Sequence, residues 1–213
     1  MKTKMIILII AFISHSACTT VYDAQNYISQ IEENNEVTEM IILAQWVYYE
    51  NHDKLLQRAS HVIRVIVLDD GRSEMVNTRT YKPDNPDWKP RYDLYTLHNV
   101  EAIESFSGDL VKGDTIDIGQ VGGETSELRV MNKDRIQFKV GDDIVLFIYM
   151  HEYMTYAELL SPMCAVYHIE TENGTRISSD TRASDDHKLV PVYERGRLSF
   201  TIGELRNYCT KEE

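Results

Sequence analysis

The chain has 213 residues, with 34 acidic and 22 basic side chains and a formal net charge of −12. So acidic a surface disfavours DNA, RNA and anionic lipid as partners, because their phosphates repel it. The length suffices for one domain with a real core plus an N-terminal extension.

Lys2 and Lys4 precede an unbroken apolar run at 5–13, MIILIIAFI, which is followed by Ser14, His15, Ser16, Ala17 and Cys18. A positive start, an apolar stretch and then small residues form the secretory pattern, so residues 1–17 are expected to be a signal peptide that is removed. A helix over 5–13 reaches about 14 Å, while a bilayer core is about 30 Å thick. A permanent transmembrane anchor is therefore not expected. Losing Lys2 and Lys4 leaves the mature chain more negative still, since residues 1–17 hold no acid. Residues 18–38 are polar and acidic and are expected to form a tether. Residues 39–213 are expected to form a β-barrel domain.

Within that domain, EMIILAQWVYY at 39–49 favours a strand. DKLLQRAS at 53–60 predicts a short helix capped by Asp53. HVIRVIVL at 61–68 predicts a strand running into the turn Asp69-Asp70-Gly71. Residues 81–90 carry Pro83, Pro86 and Pro90 and form a loop. Residues 92–105 alternate over their whole length and predict a long strand that bends. TIDIGQV at 115–121 is another strand, stopped by Gly122-Gly123, and IVLFIY at 144–149 is the most apolar one. Asn173-Gly174 predicts a hairpin joining 165–171 to 176–179. Thr201 and Glu204 have the spacing of a capping box opening a terminal helix. Many short strands and few helices make the class mainly β: a small OB-like β-barrel with an N-terminal extension and a short C-terminal helix.

Ser16-Ala17-Cys18 resembles the end of the lipobox, where bacterial lipoproteins receive a diacylglyceryl group and acyl chains such as palmitate on cysteine. His15 stands where that pattern has Leu or a similar residue, and cleavage after Ser16 is the alternative. The resemblance implies lipidation of Cys18 and a place on the outer face of the cell membrane. Without the lipid the protein would be secreted. An odd cysteine count in an exported chain asks for an explanation. With Cys18 lipidated, Cys164 and Cys209 can pair, closing a loop of about 45 residues worth roughly 4 kcal/mol. Two separate buried thiols are the other reading.

A wider resemblance rests on Ala59-Ser60-His61-Val62-Ile63-Arg64-Val65, on Tyr95-Thr96-Leu97-His98-Asn99-Val100-Glu101-Ala102-Ile103, on Gly113-Asp114-Thr115-Ile116-Asp117-Ile118 with Gly122-Gly123-Glu124, and on Phe138-Lys139-Val140-Gly141-Asp142-Asp143-Ile144. These stretches resemble small exported lipoproteins of Gram-positive type whose function is unknown. They also faintly resemble the netrin and tissue metalloproteinase-inhibitor architecture, an OB-type barrel of five strands. The likeness covers 53–149 and implies a fold more than a function. Such inhibitors begin Cys-x-Cys and place the first cysteine on a protease zinc, whereas Cys18 is followed by Thr19-Thr20.

No HExxH or GxSxG motif is present in the sequence. His61 and His98 fall inside strands. Asp69-Asp70, Asp84 with Asp87, Asp142-Asp143 and Asp185-Asp186 are explained by turns, and Gly122-Gly123-Glu124 by a strand end. No catalytic residue, cofactor or metal ligand is expected. Thirteen tyrosines, among them Tyr48, Tyr49, Tyr81, Tyr92, Tyr149, Tyr153 and Tyr156, lie near strand ends or loops. They form either a recognition surface or a barrel rim. The sequence thus suggests a non-enzymatic, surface-tethered envelope protein that binds a peptide, a glycan or another protein. The rivals are an extracellular enzyme acting on cell-wall material, marked by a carboxylate pair or a carboxylate–histidine pair in a cleft, and a metalloprotease-inhibitor-like module.

Overall fold

The computed structural model describes residues 5–8, 37–42, 46–47, 49, 51–79, 89–152, 154–177, 180–193 and 198–210. Cys18, most of the expected tether, and Tyr48, Tyr81 and Tyr153 lie outside them. Five strands close into a barrel: β3 (His61–Val67), β5 (Tyr92–Ser107), β6 (Thr115–Val121), β10 (Tyr156–Leu159) and β9 (Asp143–Met150). Going round, β3 pairs with β5, β5 with β6, β6 with β10, β10 with β9, and β9 with β3. All are antiparallel except β6 with β10, which are parallel, with Tyr156 opposite Asp117. That order and that single parallel pair make the barrel OB-like, as expected from the sequence.

Closure needs strongly bent strands. Sixteen-residue β5 spans the turn of the barrel, and its pairing with β3 shifts register between Val62 and Ile63 and again between Arg64 and Val65. Such bulges bend a strand and raise its twist. Alternation then sorts the side chains. Ile63, Val65, Val100, Ile118, Ile144, Leu146 and Ile148 are buried together in the core, and the pairing places them on the inner face. Val145 and Phe147 lie on the outer face of β9, yet they too are buried.

The C-terminal part covers that outer face. β11 (Val166–Glu170) pairs with the N-terminal half of β9, and β12 (Lys188–Pro191) and β13 (Phe200–Thr201) extend the sheet. Phe147, Tyr167 and Phe200 form a triangle of edge-to-face rings, with centroids 5.4–5.9 Å apart. Leu189, Ile202 and Leu205 are buried in the same core. β9 is thus covered on both faces, which is why 144–149 is apolar without alternation. The last helix, α2 (Ile202–Cys209), opens with the expected capping box. Glu204 N–H donates to Thr201 Oγ1 at 3.1 Å, and Thr201 N–H to Glu204 Oε2 at 2.7 Å. Arg206 on this helix donates to Glu104 Oε1 at 2.5 Å and to Ala183 O at 3.0 Å, and pairs with Asp185.

Several local expectations change. The short helix α1 is His52–Leu56, capped by Asn51, whose Oδ1 accepts from Lys54 N–H at 3.0 Å, rather than by Asp53. Among the described residues of the run at 39–49, the strand is β2 (Thr38–Ile42), which covers its first four positions. β4 (Arg72–Asn77), too polar to stand out in the sequence, pairs along β5. Among the described residues the Asn173-Gly174 turn leads to a short pairing, an isolated bridge between Glu170 and Arg176 with Ile177 N–H donating to Ile169 O at 3.1 Å, while β11 also takes β12 as a partner. Met5–Leu8 forms β1, parallel to β2 in a second sheet of order β1-β2-β8-β7, where β7 is Gly123–Glu124 and β8 is Leu128–Asn132. No helix among the described residues is long and apolar enough to cross a membrane.

Burial pushes the imidazoles of His52, His98 and His168 below their ordinary range. In the folded chain these rings resist protonation, whereas the unfolded chain takes up protons near pH 6.5. Their contribution to stability is complete above that value and is lost as pH falls through the lowered folded values. The melting temperature is expected to drop between about pH 7 and pH 5. Replacing His98 by Asn should flatten that slope, and an unchanged slope would refute its part in it.

Candidate functional site

The outer face of β4, β5, β6 and β10 gathers polar and aromatic side chains from four strands. Register puts Tyr95 opposite Glu74 and Val121, Leu97 opposite Arg72 and Gly119, and Asn99 opposite Asp117. β10 continues the row, with Tyr156 opposite Asp117 and Glu158 opposite Gly119, and β9 adds Tyr149 opposite Glu158.

Glu158 is the hub of one half. Tyr95 donates its hydroxyl to Glu158 Oε1 at 2.9 Å, and His151 Nε2 lies 3.4 Å from Oε2. Tyr149 stacks edge-on against His151 at 4.7 Å. Burial, and then the negative Glu158, push the Tyr95 hydroxyl well above the usual phenol range, so it stays a donor. Tyr95 and Tyr156 lie 5.4 Å apart. Gly119 makes this possible: a Cβ there would come 2.5 Å from Tyr156 Cδ2 and 3.2 Å from Tyr95 Cδ1. Any larger residue would lift the Tyr156 ring off the sheet.

The other half is an ion-pair lattice. Arg72 holds Asp117 through both guanidinium ends, with Nη1 3.0 Å from Oδ1, and Asn99 Nδ2 donates to the same oxygen at 3.1 Å. These contacts, Arg72 above all, keep the Asp117 carboxyl below its ordinary range.

Beside Tyr95 and Glu158 a cavity of about 240 Å³ opens between Gly119–Val121, Glu158–Leu160 and Pro162, under Trp46 and Val47. Trp46 is fixed as its wall by Asp134, which accepts from the indole N–H at 3.0 Å and from the Tyr193 hydroxyl at 3.2 Å. The surface therefore combines aromatic faces, an anchored carboxylate and a mostly apolar slot. It can stack against and hydrogen-bond a neutral or cationic ligand.

Of the tyrosines singled out in the sequence, Tyr149 and Tyr156 belong to this face, Tyr92 is exposed at the start of β5, and Tyr49 is buried in the core. Tyr95, Glu158, Arg72 and Trp46 did not stand out in the sequence. Only the alternation of β5 carried a signal for Tyr95, since Tyr95, Leu97 and Asn99 share one face. His151 pairs with Glu158, seven positions on. His61 is buried with Nε2 2.7 Å from Asp109, and His98 is buried against Phe138. Asp69 accepts from the backbone N–H groups of Gly71 and Asn99, and Asp142 from that of Lys139, all turn chemistry. Among the described residues no cluster of three metal-ligating side chains occurs.

The expected Cys164–Cys209 bridge is not formed in this structure. Cys164 is a buried thiol, and burial raises its pKa, which makes it a weak nucleophile at neutral pH. Cys209 is half-buried at the end of α2 and packs against the same core. No family model, no curated protein and no solved structure matches the chain.

Proposed function

We propose that this protein is a non-enzymatic binding module of the cell envelope. In this reading it is exported, tethered to the outer face of the membrane through lipidated Cys18, and binds a peptide or glycan strand across the outer face of β4, β5, β6 and β10. The observation that carries this is the Tyr95–Tyr156 pair seated over Gly119 beside Glu158, opening into the slot under Trp46. Aromatic faces next to a fixed acceptor suit ligands rich in hydroxyl, amide or ammonium groups. The acidic net charge speaks against nucleic acid here. Cleavage before Cys18 would remove β1 and leave β2 as the edge of the smaller sheet.

The Glu158–His151 pair favours a second reading, an enzyme acting on wall material, since a carboxylate beside an imidazole can move a proton. A photoreactive phenylalanine analogue at Tyr149 separates these readings from a merely structural face. In living cells it is expected to crosslink an envelope component, whereas the same group at exposed Val111, in the β5–β6 connection, is not. Equal crosslinking from both positions would sink the assignment of the face. Turnover of wall fragments that disappears in Glu158→Gln would favour the enzyme. The anchor is tested by intact mass of the protein from native membranes, alkylated before reduction. A diacylglyceryl excess on Cys18 is expected, and alkylation reports whether Cys164 and Cys209 are thiols or a disulfide. A chain starting at Ala17 or Cys18 without lipid would overturn the tether and return weight to the inhibitor-like reading.

A further inference from the structure

A second cavity, of about 150 Å³, lies between the segment 136–139, the start of β9 and β11. Its walls are apolar: Phe138, Ile144, Val166 and Val192. Its polar lining is mostly basic, with Lys139, His168 and Arg176 set against one carboxylate, Asp142. Asp142 is already engaged, because its Oδ2 accepts the Lys139 backbone N–H at 2.8 Å and ties the turn that enters β9.

The basic character is out of keeping with the rest of the molecule. The chain carries 34 acids against 22 lysines and arginines. Arg64, Arg72, Arg91, Arg129 and Arg206 all hold carboxylates. Lys139 and Arg176 form no ion pair among the described residues, although both line one small cavity. Burial and then Arg176 push His168 below its ordinary range, against Asp142, Glu170 and Asp143, which favour the charged ring. Two unpaired cations around a half-buried imidazole repel one another, and an anion in their midst would relieve that repulsion. The apolar floor adds a second requirement, that the anion carry a short hydrocarbon group.

We propose that this cavity binds a small organic carboxylate, its oxygens held by Arg176, Lys139 and His168 and its aliphatic part laid against Ile144, Val166 and Val192. The site lies on residues separate from those of the proposed binding face and does not depend on that assignment.

Butyrate, inorganic phosphate and butylammonium serve as probes, at low ionic strength so that screening does not hide the interaction. The readout is the imidazole resonances of His168 in the full mature chain. Butyrate is expected to shift them saturably in the millimolar range, and butylammonium not at all. Bound carboxylate should also raise the pH at which His168 titrates, because a nearby negative charge favours the charged ring. Arg176→Gln and Lys139→Gln alter exposed side chains and should melt like the parent, yet together weaken butyrate about tenfold or more. Saturation by phosphate but not by butyrate would overturn the carboxylate assignment. No saturable shift, or one that persists unchanged in the double variant, would overturn the site altogether.

Discussion

Arg64→Met is expected to destabilise the fold by about 3–5 kcal/mol, the cost of leaving a buried charge without its partner. Arg64 projects from the outer face of β3 and donates to Asp143 through Nε at 2.8 Å and Nη2 at 2.6 Å. Its third arm, Nη1, reaches Thr181 O at 2.9 Å. The two side chains are only 3% and 9% exposed. The pair joins β3, the start of β9 and the segment leading to β12, so three chain regions lose a common fastener. For a chain of this length the loss corresponds to a fall in melting temperature of roughly 6–20 °C. The double replacement Arg64→Met with Asp143→Leu removes both charges and should recover most of the loss, because well-packed apolar residues replace buried ion pairs at little net cost. Urea unfolding of the three proteins checks this. A single-variant loss below about 1 kcal/mol, the range of exposed pairs, would mean that water reaches Asp143 and that the region is more open than described.

The second large effect is expected at Gly119. An alanine methyl there would sit 2.5–2.7 Å from two carbons of the Tyr156 ring. The ring must move, since Gly119 lies in the middle of β6 and its backbone is held by both neighbours. Overpacking of this kind costs about 1–3 kcal/mol in stability. The functional loss should be larger than that strain suggests. Displacing Tyr156 breaks its contact with Tyr95 and closes the approach to Glu158. If this aromatic pair anchors the ligand with about 2 kcal/mol, a typical hot-spot value, binding falls roughly thirtyfold. The measure is crosslink yield from the photoreactive group at Tyr149. Gly113→Ala is the control: its φ of +96° strains a side chain, but nothing lies within 4 Å of the added Cβ. It should lose stability and keep the crosslink. Equal crosslink loss in both variants would show that the effect is general unfolding and not a property of the face.

Much of the barrel is legible in the sequence. Short-range physics settles the strands 61–67, 115–121 and 143–150, because alternation or continuous apolar character marks them directly. It settles the terminal capping box too, since Thr201 and Glu204 need only each other and the backbone between them. The mainly β class and the OB-like closure follow from the same spacing of strands and glycines.

Partner choice belongs to the tertiary structure. Asn173-Gly174 favours a hairpin locally, and among the described residues that hairpin stays short, while β11 finds its longer partners in β9 and β12, which no local preference names. β4 carries RSEMVN, with no pattern of its own, and is a strand because β5 presents an unpaired edge. The candidate site depends on such long-range choices throughout. Tyr95 meets Glu158 across 63 positions, Arg72 meets Asp117 across 45, and Trp46 meets Asp134 across 88. No local preference encodes those distances; Arg72 meets Asp117 through the pairing of β4 and β6 with β5, and Tyr95 meets Glu158 only when β6 and β10 pair in parallel and close the barrel. The sequence by itself determined the class of fold and the sign of the charge. Which side chains share a face was decided by closure, because a register shift of one residue would have turned every one of them to the other side.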